Sequence, residues 1–214
     1  METKFSTEAI RIPAAGARLH GDLTLPGNAK GIVIFSHGSG SSRKSPRNRF
    51  VAAQLQEKGM ATLLLDLLTE EEDAVYETRF DIDLLSRRLK EAVLWTTDNP
   101  ATKGLAAGLF GASTGAASAL RVAATLGATV RAVVSRGGRP DLAGDALPRV
   151  TAPVLLLVGS LDAGVIELNE AAFAQMTCIK KLQLVRGATH LFEEPGKLEE
   201  VAALASMWFE EYLR

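Results

Sequence analysis

Six short and nearly unbroken apolar runs, at residues 31–35, 61–65, 105–110, 130–134, 154–158 and 181–185, constrain this chain more than any other feature of its sequence. A run without polar alternation suits a strand covered on both faces, as in a mostly parallel sheet. Helical patterns fill the gaps. Residues 81–96 place Ile82, Leu85, Leu89, Ala92 and Val93 on one face before Asn99-Pro100 stops the pattern. Residues 197–213 align Leu198, Val201, Leu204, Ala205, Trp208 and Tyr212 on a stripe that should dock onto the sheet. Ahead of the first run, residues 7–12 and 18–25 alternate apolar and polar side chains around Ala15-Gly16, the pattern of an antiparallel pair. The expected fold is therefore α/β, a mostly parallel doubly wound sheet with an antiparallel N-terminal hairpin. With 214 residues, 47% of them hydrophobic, the chain can build one sizeable core but not two full domains, so residues 1–214 are expected to form a single domain.

Charge and cysteine content narrow the function. Lys and Arg number 24 against 25 Asp and Glu, so no long-range field favours nucleic acid or an anionic membrane, and the expected partner is a small molecule. The single cysteine, Cys178, excludes an internal disulfide framework and reads as a buried thiol in the apolar-leaning stretch 178–185. Residues 1–11 carry Glu2, Lys4 and Glu8 with no apolar leader core, and no run approaches the length of a membrane span. The expected location is cytoplasmic, with oligomeric state left open.

Chemistry concentrates behind the third of these runs. Gly111-Ala112-Ser113-Thr114-Gly115 follows the strand at 105–110 and opens an Ala-rich helix expected over 113–126. A serine forced into a strained strand-to-helix turn needs small residues two positions to either side, and here both are glycine. Ser113 is the candidate nucleophile, the alternative being a helix-capping serine. Three histidines could serve it. His20 falls in the opening hairpin, where a turn or surface role is expected, and His37 directly follows the strand at 31–35. His190 lies in the loop after the strand ending at Val185, where catalytic groups of open α/β sheets sit, and is the candidate base. Asp162, behind the strand at 154–158, is the candidate acid that orients His190; Asp141 and Asp145 compete. Residues 35–42, Phe-Ser-His-Gly-Ser-Gly-Ser-Ser, form a glycine-bearing turn in which the N–H of Ser39, with that of Thr114, would make an oxyanion hole, with His37 supporting the loop. A phosphate-binding turn is the alternative, but neither a third glycine at dinucleotide spacing nor a P-loop lysine follows.

With His37-Gly38-Ser39-Gly40, residues 111–115, Asp162 and His190 in this order, the chain resembles the dienelactone-hydrolase-like branch of the α/β-hydrolases. The resemblance implies a compact hydrolase with little or no cap, acting on carboxylic esters or lactones without metal or organic cofactor. It departs at the nucleophile, because true dienelactone hydrolases carry cysteine where this chain has Ser113, which favours a general carboxylesterase. Thioesterase or peptidase activity on the same triad, and a catalytically silent binding module, are the competing expectations. Arg136 or Arg139, in the segment 135–141, could hold a substrate carboxylate or phosphate; otherwise they face water or brace the Asp141 loop. Arg43, Lys44, Arg47 and Arg49 read as a solvated helix entrance, and the acidic stretch 67–78 as a surface loop or a small lid.

Overall fold

The structure, a computed structural model, describes residues 5–213; the first four residues of the stretch 1–11 lie outside the described residues. Strands β1 (Ser6–Ala14) and β2 (Ala17–Leu25) pair antiparallel from Ser6 against Leu25 to Ala14 against Ala17. The two residues between them, Ala15 and Gly16, both have positive φ, which matches the twist of a tight hairpin. β2 also pairs antiparallel with β4 (Ala61–Leu65). From β4 onward the sheet is parallel, through β3 (Gly31–Ser36), β5 (Ala106–Ala112), β6 (Val130–Arg136), β7 (Val154–Gly159) and β8 (Lys180–Val185). The strand order is β1-β2-β4-β3-β5-β6-β7-β8.

After β3 the chain passes first to one side, to β4, and then to the other, to β5. Loops leaving β3 and β5 therefore diverge and open a crevice at the carboxyl ends of the strands, where open α/β sheets bind ligands.

Each face of the sheet has its own core. One is covered by α3 (Ile82–Asp98), α4 (Gly115–Leu126) and α5 (Ala163–Gln175), with Leu85, Leu89, Leu120 and Ala172 packed on Ile34, Leu63, Leu109 and Val133. The other is covered by α1 (Pro46–Glu57) and α6 (Lys197–Tyr212), with Val51, Leu55, Val201 and Phe209 packed on Val33, Phe35, Phe110 and Val134. Each such large side chain, taken fully out of water, contributes on the order of 1.5–3 kcal/mol. The buried stripe of α6 is rotated from the expected one. It runs through Val201, Ala202, Ala205 and Phe209, leaving Leu198, Leu204, Trp208 and Tyr212 at its margin, because Phe209 fills the space above the side-chain-free Gly108.

One strand, one thiol and one loop depart from expectation. β8 is an edge strand, so most of its residues stay partly or fully exposed rather than covered on both faces. Cys178, just before it, is half-buried for the same reason. The stretch 67–78 is not a plain loop: it folds into the one-turn helix α2 (Glu70–Asp73) and leads into a 3-10 turn at Glu77–Phe80. Among the described residues no helix is long and apolar enough to cross a membrane.

Candidate active site

The turn after β5 is strained where the sequence pattern requires it. Ser113 has φ +51, a left-handed conformation that costs an L-residue about 1–3 kcal/mol. A Cβ on Gly111 would lie 2.5 Å from Ala116 Cα, and one on Gly115 would lie 2.2 Å from the Ser36 carbonyl oxygen, so only glycine lets the turn close. The helix itself begins at Gly115, two residues later than the sequence pattern implies, because Ser113 belongs to the turn. Ser113 N–H donates to Arg136 O (3.2 Å) and Arg139 N–H donates to Ser113 O (3.0 Å), which pins the turn between both ends of the segment that follows β6.

His190 comes to this segment from the other side. A Cβ on Gly137 would meet His190 O at 3.0 Å and His190 Cε1 at 3.6 Å, so the histidine loop rests on the same few residues that hold Ser113. Phe192, buried and with φ +57, anchors that loop in the core, while Glu194 accepts from Thr189 N–H (3.1 Å) and Thr189 Oγ1 (2.6 Å). Asp162 begins α5 but makes no side-chain cap to it. Its Oδ2 instead lies 2.7 Å from His190 Nδ1. An aspartate that forgoes the cap it could make, in favour of an imidazole 28 residues away, holds that ring with Nε2 left for another partner. Asp141 is engaged elsewhere, accepting from Arg139 Nε (2.9 Å) and Nη2 (2.7 Å).

The loop after β3 arrives opposite. A Cβ on Gly38 would lie 3.0 Å from Ser113 Cβ, so the glycine permits the approach. His37 is buried, with Nδ1 2.9 Å from Gly38 O and Nε2 accepting from Leu67 N–H at 3.0 Å. This network puts the proton on Nδ1, and burial pushes the pKa down from 6.5, so a neutral His37 braces the loop and has no free nitrogen for catalysis. Ser39 sits beside Thr114 as the sequence implies, but its N–H donates to Thr114 Oγ1 at 2.9 Å. The expected donor is occupied by its neighbour's hydroxyl.

Around this centre several ionic groups are placed differently from their sequence reading. The helix entrance is braced as much as solvated: Arg43 pairs with Asp66 and Asp22, and Arg47 pairs with Glu193 at 2.7 Å. Arg139 braces the Asp141 loop. Arg136 is buried at the end of β6, its Nη2 donating to Asn48 Oδ1 at 3.3 Å. Two buried asparagines escape the sequence reading altogether. Asn48 meets Arg136, and Asn169 Nδ2 donates to Gly138 O (3.0 Å), tying α5 to the segment under Ser113. No local pattern marks either, since each acts on a distant strand end. Among the described residues no three His, Cys, Asp or Glu side chains converge on a metal-sized site.

Comparison with known proteins identifies the family and the fold. A family model described as the dienelactone hydrolase family matches residues 19–212. A dienelactone hydrolase from Anabaena variabilis is 54% identical, with a TM-score of 0.96 over 98% of this chain and 99% of that one. Est1E from Butyrivibrio proteoclasticus shares the fold at 19% identity, with a TM-score of 0.81 over 95% of this chain and 98% of that one. Relatives in two strains of Mycobacterium tuberculosis, 53% identical over 206 residues and 96% of this chain, bear the provisional name phosphoribosyl transferase. The chain spans 46% of the length of those relatives.

Proposed function

The chain belongs to the dienelactone hydrolase family, and from that premise we propose that it is a serine esterase, cleaving carboxylic esters or lactones of small molecules through an acyl-enzyme on Ser113. The observation that carries the reading is the 2.7 Å contact between Asp162 Oδ2 and His190 Nδ1, made by a carboxylate that leaves its own helix uncapped. Ser113 Oγ attacks the ester carbonyl carbon as its proton passes to His190 Nε2, and Asp162 stabilises the imidazolium. The proton then moves to the leaving oxygen as the carbon–oxygen bond breaks. A water attacks the acyl-enzyme with the same histidine as base, releasing the acid and restoring the serine.

The carbonyl oxygen turns anionic in both steps and needs donors in place. Thr114 N–H is one. Ser39 N–H becomes the second when the substrate oxygen displaces Thr114 Oγ1 from it. The activity named for the Mycobacterium tuberculosis relatives we assign to the part of those longer proteins that lies outside the match.

A fluorophosphonate probe followed by peptide mapping tests the reading. Labelling of Ser113, together with loss of p-nitrophenyl ester turnover in a folded Ser113→Ala chain, upholds it. Unlabelled folded protein, or turnover that survives Ser113→Ala, overturns it in favour of a binding module or another nucleophile.

A further inference from the structure

Among the described residues Arg136 is an ion without a counter-charge. On β6 it lies two residues beyond Val134 and so points to the same face, toward α1. The residue is 7% exposed, its Nε is buried without a hydrogen-bond partner, and its one side-chain bond is the 3.3 Å contact to the neutral Asn48. Among the described residues Arg43, Arg47, Arg79, Arg88, Arg121 and Arg139 each pair with a carboxylate, and Arg136 pairs with none. Its charged neighbour is another cation, Arg47, whose Nε is likewise buried and unpartnered. Burial first, and then Arg47, lower the Arg136 pKa to about 10, which still leaves the guanidinium charged at neutral pH.

A guanidinium cannot escape burial by neutralising itself, so a fold that retains one supplies a counter-charge or leaves a place for one. The surroundings suit an anion. Asn48 and Arg47 lie in the first turn of α1, a 12-residue helix whose positive end carries no acidic side chain. The position also suits a substrate. Arg136 O accepts the N–H of Ser113, and the next residue, Gly137, abuts His190. Arg136 is thereby joined, through its own backbone and its neighbour, to both residues of the proposed reaction.

We propose that Arg136, with Asn48 and Arg47, binds an anionic group of the substrate, a carboxylate or a phosphate, so that the preferred substrates are anionic esters. This inference rests on the esterase reading for the reaction and adds the substrate class. The carboxylate of a hemiester or the phosphate of a phosphorylated ester provides two oxygens to the forked guanidinium, which a neutral ester does not.

The test compares kcat/KM for mono-p-nitrophenyl glutarate with that for p-nitrophenyl butyrate at constant ionic strength. Wild type should favour the anionic ester by about tenfold or more, and Arg136→Gln should bring the ratio close to one. A merely structural Arg136 would lower both values together and leave the ratio standing, which would overturn the proposal, as would a wild-type ratio near one. Arg136→Lys, which keeps a charge but loses the fork, should fall between the two and serves if the glutamine variant does not fold. Calorimetry with glutarate and with inorganic phosphate separates the two anion sources and stands apart from turnover. Binding abolished by Arg136→Gln in a chain that hydrolyses no ester would uphold the anion site while the esterase reading fails. Turnover without binding of either anion, and without the anionic preference, would overturn the anion site and leave the esterase reading in place.

Discussion

Arg88 and Arg136 are both buried arginines, and the protein treats them in opposite ways. Arg88, on α3 and 2% exposed, has its charge answered by its own chain although its Nε, like that of Arg136, is buried without a partner: its guanidinium contacts both Glu72 carboxylate oxygens, with Nη2 to Oε1 at 2.6 Å, and Nη1 donates to Leu67 O at 2.9 Å. Glu72 in turn closes the capping box of α2, accepting Thr69 N–H at 2.9 Å. Leu67 N–H reaches back to His37 in the loop beside Ser113. The acidic stretch is thereby bolted from the candidate oxyanion loop to α3, which is the geometry of a wall, not of a mobile lid. Arg136 has an asparagine and a second cation where Arg88 has a carboxylate. The difference teaches that burial alone says little about an ion's role, whereas the source of its counter-charge separates a structural clamp from a site awaiting a ligand.

The sharpest way to break the comparison is to remove one partner from the satisfied pair. Glu72→Ala would strand Arg88 in the interior, and urea unfolding should register a loss of about 3 kcal/mol. On the other side, Arg136→Met replaces an unanswered charge by an apolar chain of similar length. Its unfolding free energy should stay within about 1 kcal/mol of wild type or rise. A loss as large as that of Glu72→Ala would mean that Arg136 is compensated after all, and the contrast would collapse.

Acid sharpens the same point. Hydrogen bonding to Arg88 lowers the Glu72 pKa from 4.5 to about 2. A depressed carboxylate contributes stability that is fully present above the unfolded pKa and disappears as pH falls through the folded one. The stability gap between wild type and Glu72→Gln should therefore be flat above pH 4.5 and shrink between 4.5 and about 2. A gap independent of pH in that window would remove the ion pair from the account. The smallest effect concerns a neutral donor. Ser39 N–H is answered inside the chain by Thr114 Oγ1, and in the proposed reaction substrate must displace that hydroxyl, so Thr114→Val should raise esterase kcat/KM by up to about tenfold. A fall would show the hydroxyl acting as a donor to substrate instead.

Much of this architecture could be read in one dimension. The apolar runs at 31–35, 61–65, 105–110, 130–134 and 154–158 became buried strands, since continuous apolarity and two-sided burial are the same physical condition. The elbow was legible because its geometry is local: Gly111 and Gly115 must be bare for Ser113 to turn, and all three lie within five residues. Other features were not legible for equally physical reasons. Residues 67–78 looked like a solvated acidic loop because the capping box and Arg88 that order them become partners only once α3 is in place. Trp208 seemed to belong to the buried stripe of α6, but the missing side chain at Gly108, a hundred residues earlier, makes room for Phe209 instead.

By itself, then, the sequence determined which segments become strands and helices, the mostly parallel sheet with its leading hairpin, and the turn on which Ser113 is held. These follow from periodicity and from steric limits that operate over a few residues. Only the tertiary structure decided how charges and donors are satisfied. Glu72 meets Arg88 across 16 residues, Asp162 meets His190 across 28, and Arg136 meets the neutral Asn48 across 88. Electrostatic compensation depends on distance in space and on exclusion of water, and neither exists until the sheet has brought its strand ends together.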